Sequence, residues 1–502
     1  MNVAIKKLIG IEVEFGNHLY GHNSARGDED FYGAARALCQ AHKELFGLST
    51  ENKYGCKAGL DEFGTHQFRC YPDHAHAEIS SPLTADAKDL VLWQMRAKKL
   101  IGRCQKHAQN KYNHMYVHCA NTNRNGAAWG FHMNLLVSRR AFNKWRDRNW
   151  HPLFAQWIPF LVTSPVLFGT GKVGAENNRP KANYQLSQRA DFIDEVVKLE
   201  TVCSKSLINE RDEPLADPAR YARFHITAAF DFNCCEFASW LKFGLAQVMI
   251  ALIEAGVELP NLQLKDPLDS LATVSRDLEM GTSLELETRT YRTALEIQEE
   301  LAFSASRAIN AGIISEEVVP SAKGIVNAWI ITLNQLQRRD PLLRRRLDWL
   351  AKKQALDQWR HRLGASWDDL RLTELDLRYA GIGNGWFERF ERNHLVDRLE
   401  DFLPVNDIEH KPSSCARDVA RGRILEKFRK SVLSVNWHYV CVNTGQNNRP
   451  KIYKINLDDP LDAAKIHNAI DKAQTVSELL EYLPKHYYHC VECDASVNLL
   501  SY

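Results

Sequence analysis

Near the N-terminus, apolar and charged positions alternate through IKKLIGIEVEFG within residues 3–16, and a period of two predicts a strand. Glu12 and Glu14 stand two residues apart on it and therefore project from one face. Residues 28–47 carry a helical pattern, and the Gly-rich, polar stretch 48–66 predicts a loop. FRCYP (68–72) predicts a second strand, running into DHAHAEISSP, and a helix follows over 86–109 with Leu90, Trp93, Leu100 and Ile101 as its apolar stripe. WGFHMNLLVSR (129–139) again has strand character, whereas PFLVTSPVLFGTGKVG (159–174) predicts a helix running into a Gly-rich turn. FHITAAFDFNCCEF (224–237) predicts a strand, and the apolar helix after it reaches about Ala255 and stops at Gly256. The stretches 284–310 and 333–363 predict long amphipathic helices. The polar segment 404–414, with two prolines, predicts a linker; beyond it come a helix, a strand SVNWHYVCVN and a final helix near 461–483. Strands of antiparallel character followed by helices indicate an α+β chain. The expected division is a catalytic domain over 1–410 and a small α/β domain over 411–502.

The chain has 502 residues, enough for two or three domains or one large domain with an appendage. At 45% hydrophobic and 25% charged residues, it is neither a disordered chain nor a fibre. The net charge of +2 argues against a broad nucleic-acid surface but leaves room for a local basic pocket. Glu12 and Glu14 interrupt the first apolar run, and no signal peptide is expected. The longest apolar stretch, 243–253, falls short of the ~20 residues needed to cross a bilayer, so no membrane span is expected either. Twelve scattered cysteines fit reduced thiols in a cytoplasmic protein.

Several acids and imidazoles fall on predicted strands: Glu12, Glu14, Asp73, Glu78, His132, His225, Asp231 and Glu236. A rigid, carboxylate-lined sheet suits Mg²⁺ with a nucleotide, because this hard cation takes oxygen ligands. A solvated strand face explains any one of these acids equally well. The histidines of DHAHAEISSP (73–82) alone suggest zinc, although a polar loop also accounts for them and no H-E-x-x-H helix is present. His486, His489, Cys490 and Cys493 give only half of a zinc framework and are read as ordinary side chains. GTGKVG, with Lys172, lacks the spacing of a phosphate-binding loop and reads as a tight turn. RRDPLLRRR (338–346) reads as a solvated basic face that could receive an acidic partner.

GIEVEFG, YPDHAHAEISSP, NRNGAAWGFHMNLLVSR, FLVTSPVLFGTGKVG, SQRADF and INERDEPLADPARYARFHI together resemble the Pup ligase and depupylase family. These are glutamine-synthetase-like enzymes that attach or remove the prokaryotic ubiquitin-like protein Pup. The resemblance implies an antiparallel sheet cradle packed by helices, with ATP and Mg²⁺ as cofactors. It also implies a Pup-like acidic modifier and its lysine-bearing targets as partners. Residue by residue, it makes Glu12 the first magnesium ligand and Tyr71 and Glu78 two further magnesium positions, with Glu14, His132 and His225 as additional candidates beside them. Arg69, Ser81 and Trp437 match nucleotide-contacting positions, Arg223 and Arg211 are less certain members, and Asp73 matches the catalytic aspartate.

In the ligase direction that family activates a carboxylate with ATP as an acyl phosphate, and an aspartate deprotonates the incoming lysine. In the hydrolytic direction the aspartate acts as nucleophile or activates water. The spacing of D-H-A-H-A-E and the form of NRNGAAWGFH resemble the depupylase branch, while the segment between Glu14 and Asp73 is shorter than that branch's loop. Met133 stands where the family has glutamate, Ala77 replaces a proline and Ile79 an aromatic. Three functions are therefore open: a depupylase-like hydrolase or Pup deamidase, a carboxylate–amine ligase, and a catalytically degenerate binding homologue.

Overall fold

The structure, a computed structural model, describes residues 4–19, 30–47, 60, 62–64, 67–112, 114–151, 153–199, 205–227, 229–403, 413–445 and 451–491. Most of the expected loop 48–66, the linker residues 404–412 with the boundary between 410 and 411, and Cys493 lie outside the described residues.

The first strand, β1 (Ile9–Leu19), is the hub of an eight-stranded sheet. It pairs with β3 (His76–Ser80), β4 (Met115–His118) and β5 (Phe131–Ser138), and β2 (Arg69–Asp73) pairs with β3. After a two-residue hairpin of β6 (Lys172–Val173) and β7 (Tyr184–Gln185) come β8 (Ile193–Lys198), β9 (Lys205–Asn209) and β10 (Tyr221–Ile226). The strand order is β2-β3-β1-β5-β10-β9-β8, with β4 on the far end of β1. Pairing is antiparallel except between β8 and β9.

Strand alternation divides the sheet into two faces. Ile11, Val13, Phe15, Met133, Leu135 and Val137 lie in the apolar core, shared with the helices Ala87–Ala108 and Glu236–Ala255. Glu12, Glu14, Glu78 and His132 occupy the intervening positions and look away from it. Asp86 caps the first of these helices by accepting from the Lys88 N–H, as the predicted start at 86 requires. The second is buried along its whole length and ends on Gly256 at φ 73°, a left-handed cap that favours glycine. It is long and apolar enough to cross a membrane by length and composition, yet every residue of that window is inside the protein, as suits the central helix of a large core.

Other expectations are corrected. The strand placed over 3–16 begins only at Ile9. β10 stops at Ile226, and the described residues between it and Glu236 are irregular: Asp231 accepts from the Gln188 N–H at 2.9 Å and Asn233 donates to the Phe168 carbonyl at 2.9 Å. The helix expected over 284–310 starts at Ala294, where Thr293 and Glu296 form a capping box, and the hairpin of β11 (Ser283–Glu285) and β12 (Tyr291–Thr293) precedes it. The helix expected over 333–363 is broken at Pro341, which opens a 3₁₀ turn between the helices Ala322–Gln337 and Asp348–Leu363. In the basic segment here, Arg345 and Arg346 both bind Asp397, at 2.6 and 2.8 Å, so two of its cations are already neutralised.

Near the C-terminus, SVNWHYVCVN forms two strands rather than one, β13 (Val432–Asn436) and β14 (Tyr439–Asn443), turning at Trp437 and His438. They continue into β15 (Ile452–Asn456) and β16 (Tyr488–Val491) as a four-stranded antiparallel sheet. The final helix is likewise two, Ala464–Lys472 and Val476–Tyr482. This part has its own apolar cluster, which includes Ile424, Val440, Ile455, Ile470 and Leu479, and Phe63 of the N-terminal portion joins it. Asp418 fastens it to the main sheet by accepting from the Leu83 N–H at 2.8 Å.

Lys7 is fully buried, bonds to the Leu136 carbonyl at 3.0 Å and pairs with Glu254, whose other oxygen accepts from the Ser138 N–H at 2.8 Å. Removing one partner of a buried pair strands the other charge. Lys7→Met should therefore cost about 3–5 kcal/mol in a denaturant titration, and a loss below about 1 kcal/mol would contradict this role.

Candidate functional site

Register brings the strand residues together. Glu12 sits opposite His132 on β5 and Ser80 on β3, while Glu14 sits opposite Glu78, which in turn faces Tyr71 on β2. Two groups of ligand-type side chains result, each with its donor atoms within 4.8 Å: Glu12, His132 and His225 in one, Glu14, Asp73 and Glu78 in the other. His132 joins them, with Nδ1 3.4 Å from Glu12 and Nε2 3.7 Å from Glu14. The Nε2 of His225 lies 3.8 Å from Glu12.

Burial and the charges of Glu12 and Glu14 push the Glu78 carboxyl well above its ordinary range. Burial and the charge of Glu14 likewise raise Asp73. For Glu12 burial acts upward too, but His132, His225 and Arg223 outweigh it and hold the carboxyl below its usual range. Three carboxylates gathered in a partly buried cleft repel one another, and a divalent cation between them would remove that cost. An all-oxygen set suits Mg²⁺. The zinc alternative built on DHAHAE does not find its ligands: His74 is exposed in the turn, and His76 stacks on Trp129 with Nδ1 3.1 Å from the Phe15 carbonyl. The His486, His489 and Cys490 set also forms no ligand group among the described residues, and all three are exposed.

Tyr71 donates its hydroxyl to Glu78, and burial together with Glu78 and Glu12 pushes its phenol well above the ordinary value. It orients Glu78 as a neutral donor. Arg69 lies flat over the Tyr71 ring at 4.5 Å and holds Glu62 at 2.7 Å. Two cavities flank this centre. The one on the Glu12 side is an open cleft lined by Ser81, Leu215, Arg223, Arg417 and Trp437 among others. Ser81 helps form its floor: Oγ accepts from the Ile11 N–H at 3.0 Å and donates to the Pro82 carbonyl at 3.0 Å. Trp437 stands at its wall, held edge-on to Phe63 and beneath Arg421. Arg211 is not in this cavity; it is exposed and paired with Glu213 at 2.8 Å.

The second cavity, about 190 Å³, lies on the Glu14 side and brings Asp73 and His132 together with Trp129, Arg189 and Lys205. Arg189 and Lys205 were not singled out from the sequence as site residues. SQRADF places Arg189 in a motif, but nothing in the sequence around Lys205 marks it. Burial lowers Arg189 to about 10, and burial with the nearby Arg189 lowers Lys205 to about 8, so both remain largely cationic at neutral pH. Lys172, by contrast, is buried against Asp191 at 2.5 Å, as a structural turn requires.

Between a cleft bordered by Arg223 and Trp437 and one bordered by Arg189 and Lys205, the sheet thus carries a carboxylate and imidazole centre. A sequence model of the family described as Pup-ligase protein matches residues 7–441. The chain belongs to the Pup ligase family. Both branches appear among its relatives. The Pup deamidase/depupylase of Mycobacterium tuberculosis is 30% identical over 84% of this chain and 82% of its own length. The Pup–protein ligase of Corynebacterium diphtheriae is 29% identical over 96% of each. The ligase PafA, solved in complex with Pup, superposes with a TM-score of 0.76 at 25% identity, covering 93% of this chain and 91% of that one. PafA in complex with ADP gives a TM-score of 0.70 at 23% identity over 90% and 95%. The α+β expectation holds as a PafA-like fold with a small C-terminal antiparallel sheet.

Proposed function

We propose that this member of the Pup ligase family is a nucleotide- and Mg²⁺-dependent hydrolase that releases Pup from lysine side chains, with deamidation of a C-terminal glutamine as the same reaction on a smaller leaving group. The observation that carries this is the position of Asp73. Its carboxylate belongs to the oxygen-rich group with Glu14 and Glu78, lines the cavity bordered by Arg189 and Lys205, and among the described residues has the exposed His74 as its ion-pair neighbour, at 3.9 Å. Direction is supported by the hairpin it closes: Asp73 pairs with His76 across a turn of only His74 and Ala75, the compact D-H-A-H-A-E spacing.

When bound, Mg-ATP would supply a charge-compensated phosphoryl group at the carboxylate centre. Glu12, Glu14 and Glu78 would hold the cation, His132 and His225 would flank Glu12, and Ser81, Arg223 and Trp437 would border the nucleotide. In the hydrolytic direction the Asp73 carboxylate would take a proton from a water that adds to the isopeptide carbonyl and pass it to the departing lysine amine as the C–N bond breaks. Alternatively it would attack that carbonyl itself, the amine leaving with a proton from water and a second step hydrolysing the acyl-aspartate to restore Asp73. Cleavage of a Pup–lysine conjugate with and without Mg-ATP tests this: release only with nucleotide supports it, and no release from a protein that binds nucleotide overturns it.

The ligase remains a second reading, favoured by the alignment of the corynebacterial ligase over 96% of the chain. The degenerate reading loses its motive. Met133 is fully buried on the core face, opposite Ile11, so its identity takes no carboxylate from the cleft.

Arg189 and Lys205 give the second cavity an anion-binding wall suited to the acidic tail of the modifier. Binding of that tail should weaken as salt rises from about 50 to 500 mM, over which the screening length shrinks severalfold. Salt-independent binding in a fluorescence titration would contradict this role.

A further inference from the structure

The segment 210–220 between β9 and β10 runs across the edge of the cavity assigned to the nucleotide and contributes Glu213, Pro214 and Leu215 to its lining. Its apolar anchorage is confined to Leu215, against the C-terminal cluster, and Ala216, buried with Leu8, Leu136 and Tyr221; Glu213 is half exposed, and Leu215 has a φ of 47°, a left-handed conformation that a leucine holds only when its surroundings impose it. What imposes it comes from both sides.

From the main sheet, Arg139, the residue after β5, directs its guanidinium at the segment and the start of β10. Its Nη1 and Nη2 fork the Asp212 carboxylate, with Nη2 2.9 Å from Oδ1. Nε donates to the Pro218 carbonyl at 2.7 Å, and Nη2 also donates to the Tyr221 carbonyl at 2.8 Å. From the C-terminal part, Arg417 donates to the Leu215 carbonyl at 2.5 Å, the Asp217 N–H donates to the Asp458 carbonyl at 2.8 Å, and Asp459 takes both Arg220 at 2.5 Å and the Tyr221 hydroxyl at 2.9 Å. Arg139 and Asp459 do not line the cavity.

We propose that Arg139 and Asp459 are positioning residues for the nucleotide: they clamp one strap between the sheet and the C-terminal part, and the strap sets the cavity wall at Glu213–Leu215. The inference rests on the reading of this cavity as the nucleotide site. A planar bidentate fork cannot be reproduced by lysine, so Arg139→Lys should behave nearly as Arg139→Met.

The test is Mg-ADP binding by calorimetry to the full chain, with Arg139→Met, the gentler Asp212→Asn, Asp459→Asn and the Arg139→Met/Asp459→Asn pair. Each single variant should weaken Mg-ADP at least about fivefold and raise the KM for ATP while kcat stays within about twofold. The pair should lose less than the product of the single losses, because both residues hold the same strap. A purely structural role would lower the melting temperature and leave binding of the folded protein unchanged, and that result overturns the proposal. Fully multiplicative losses would also overturn the shared strap. If the wild type itself fails to bind Mg-ADP, the nucleotide reading falls and the strap's role falls with it; if the wild type binds and the variants bind equally well, only the strap's role falls.

Discussion

Asp73→Asn should abolish turnover, by at least about 10²-fold in kcat, while the protein folds and binds nucleotide as the wild type does. Asparagine keeps the shape of the side chain but is a poor base and a poor nucleophile. The fold should not notice the change: the Asp73 side chain is 40% exposed and its ion-pair neighbour is His74 at 3.9 Å. Surface substitutions of this kind shift stability by about 0.5 kcal/mol or less. Steady-state kinetics on a Pup conjugate and a thermal melt check the two halves. Near wild-type turnover would remove Asp73 from the chemistry, and a melting temperature several degrees lower would assign it to the fold instead.

Glu78→Gln should separate metal binding from stability in a way that an ordinary buried glutamate would not. Glu78 lies beside Glu14 and Asp73, with their oxygens within 4.8 Å, and mutual repulsion and burial already push its carboxyl well upward. Taking the charge away removes a ligand from a hard cation and should weaken Mg²⁺-dependent nucleotide binding by about tenfold or more. With no metal present the upward-shifted Glu78 carboxyl is held neutral, and the neutral glutamine amide replaces it without a change of charge, so in chelator the variant should melt no lower than the wild type. Glu12→Ala should show the same loss of Mg²⁺-dependent binding. Unchanged calorimetric binding in both variants would contradict the carboxylate group as the cation's seat.

Much of this centre is legible in the sequence because β1 obeys a period of two. Glu12 and Glu14 had to share a face, and the hairpin motif with Asp73 and Glu78 had to lie close by in the chain. His132 and His225 are legible only as candidates, since what brings them to Glu12 is the β1–β5–β10 pairing register, which no local pattern states. The same alternation explains Met133: one residue from His132, it faces the core. Arg211 stands outside the cavity lining for a related reason. It sits in an irregular segment whose orientation is set by Arg139, Asp459 and Arg417, contacts separated from it by tens to hundreds of residues, and the nearer cation to the cavity is Arg223 on β10. Lys205 carries no motif at all. In the fold, the helices Ala87–Ala108 and Glu236–Ala255 are read correctly because caps and buried stripes are local, whereas the run 333–363 hides a break at Pro341 within continuous amphipathic periodicity.

The most direct test of the central claim follows both directions in one preparation. The wild-type protein is given Mg-ATP with either a Pup–lysine conjugate or free Pup ending in glutamate plus a lysine-bearing acceptor, and the products are resolved by mass. The account predicts free Pup and an unmodified lysine from the first mixture, dependent on nucleotide and absent in Asp73→Asn, with no conjugate from the second. Conjugate accumulating in the second mixture while the first remains intact would contradict it and assign the chain to the ligase reaction.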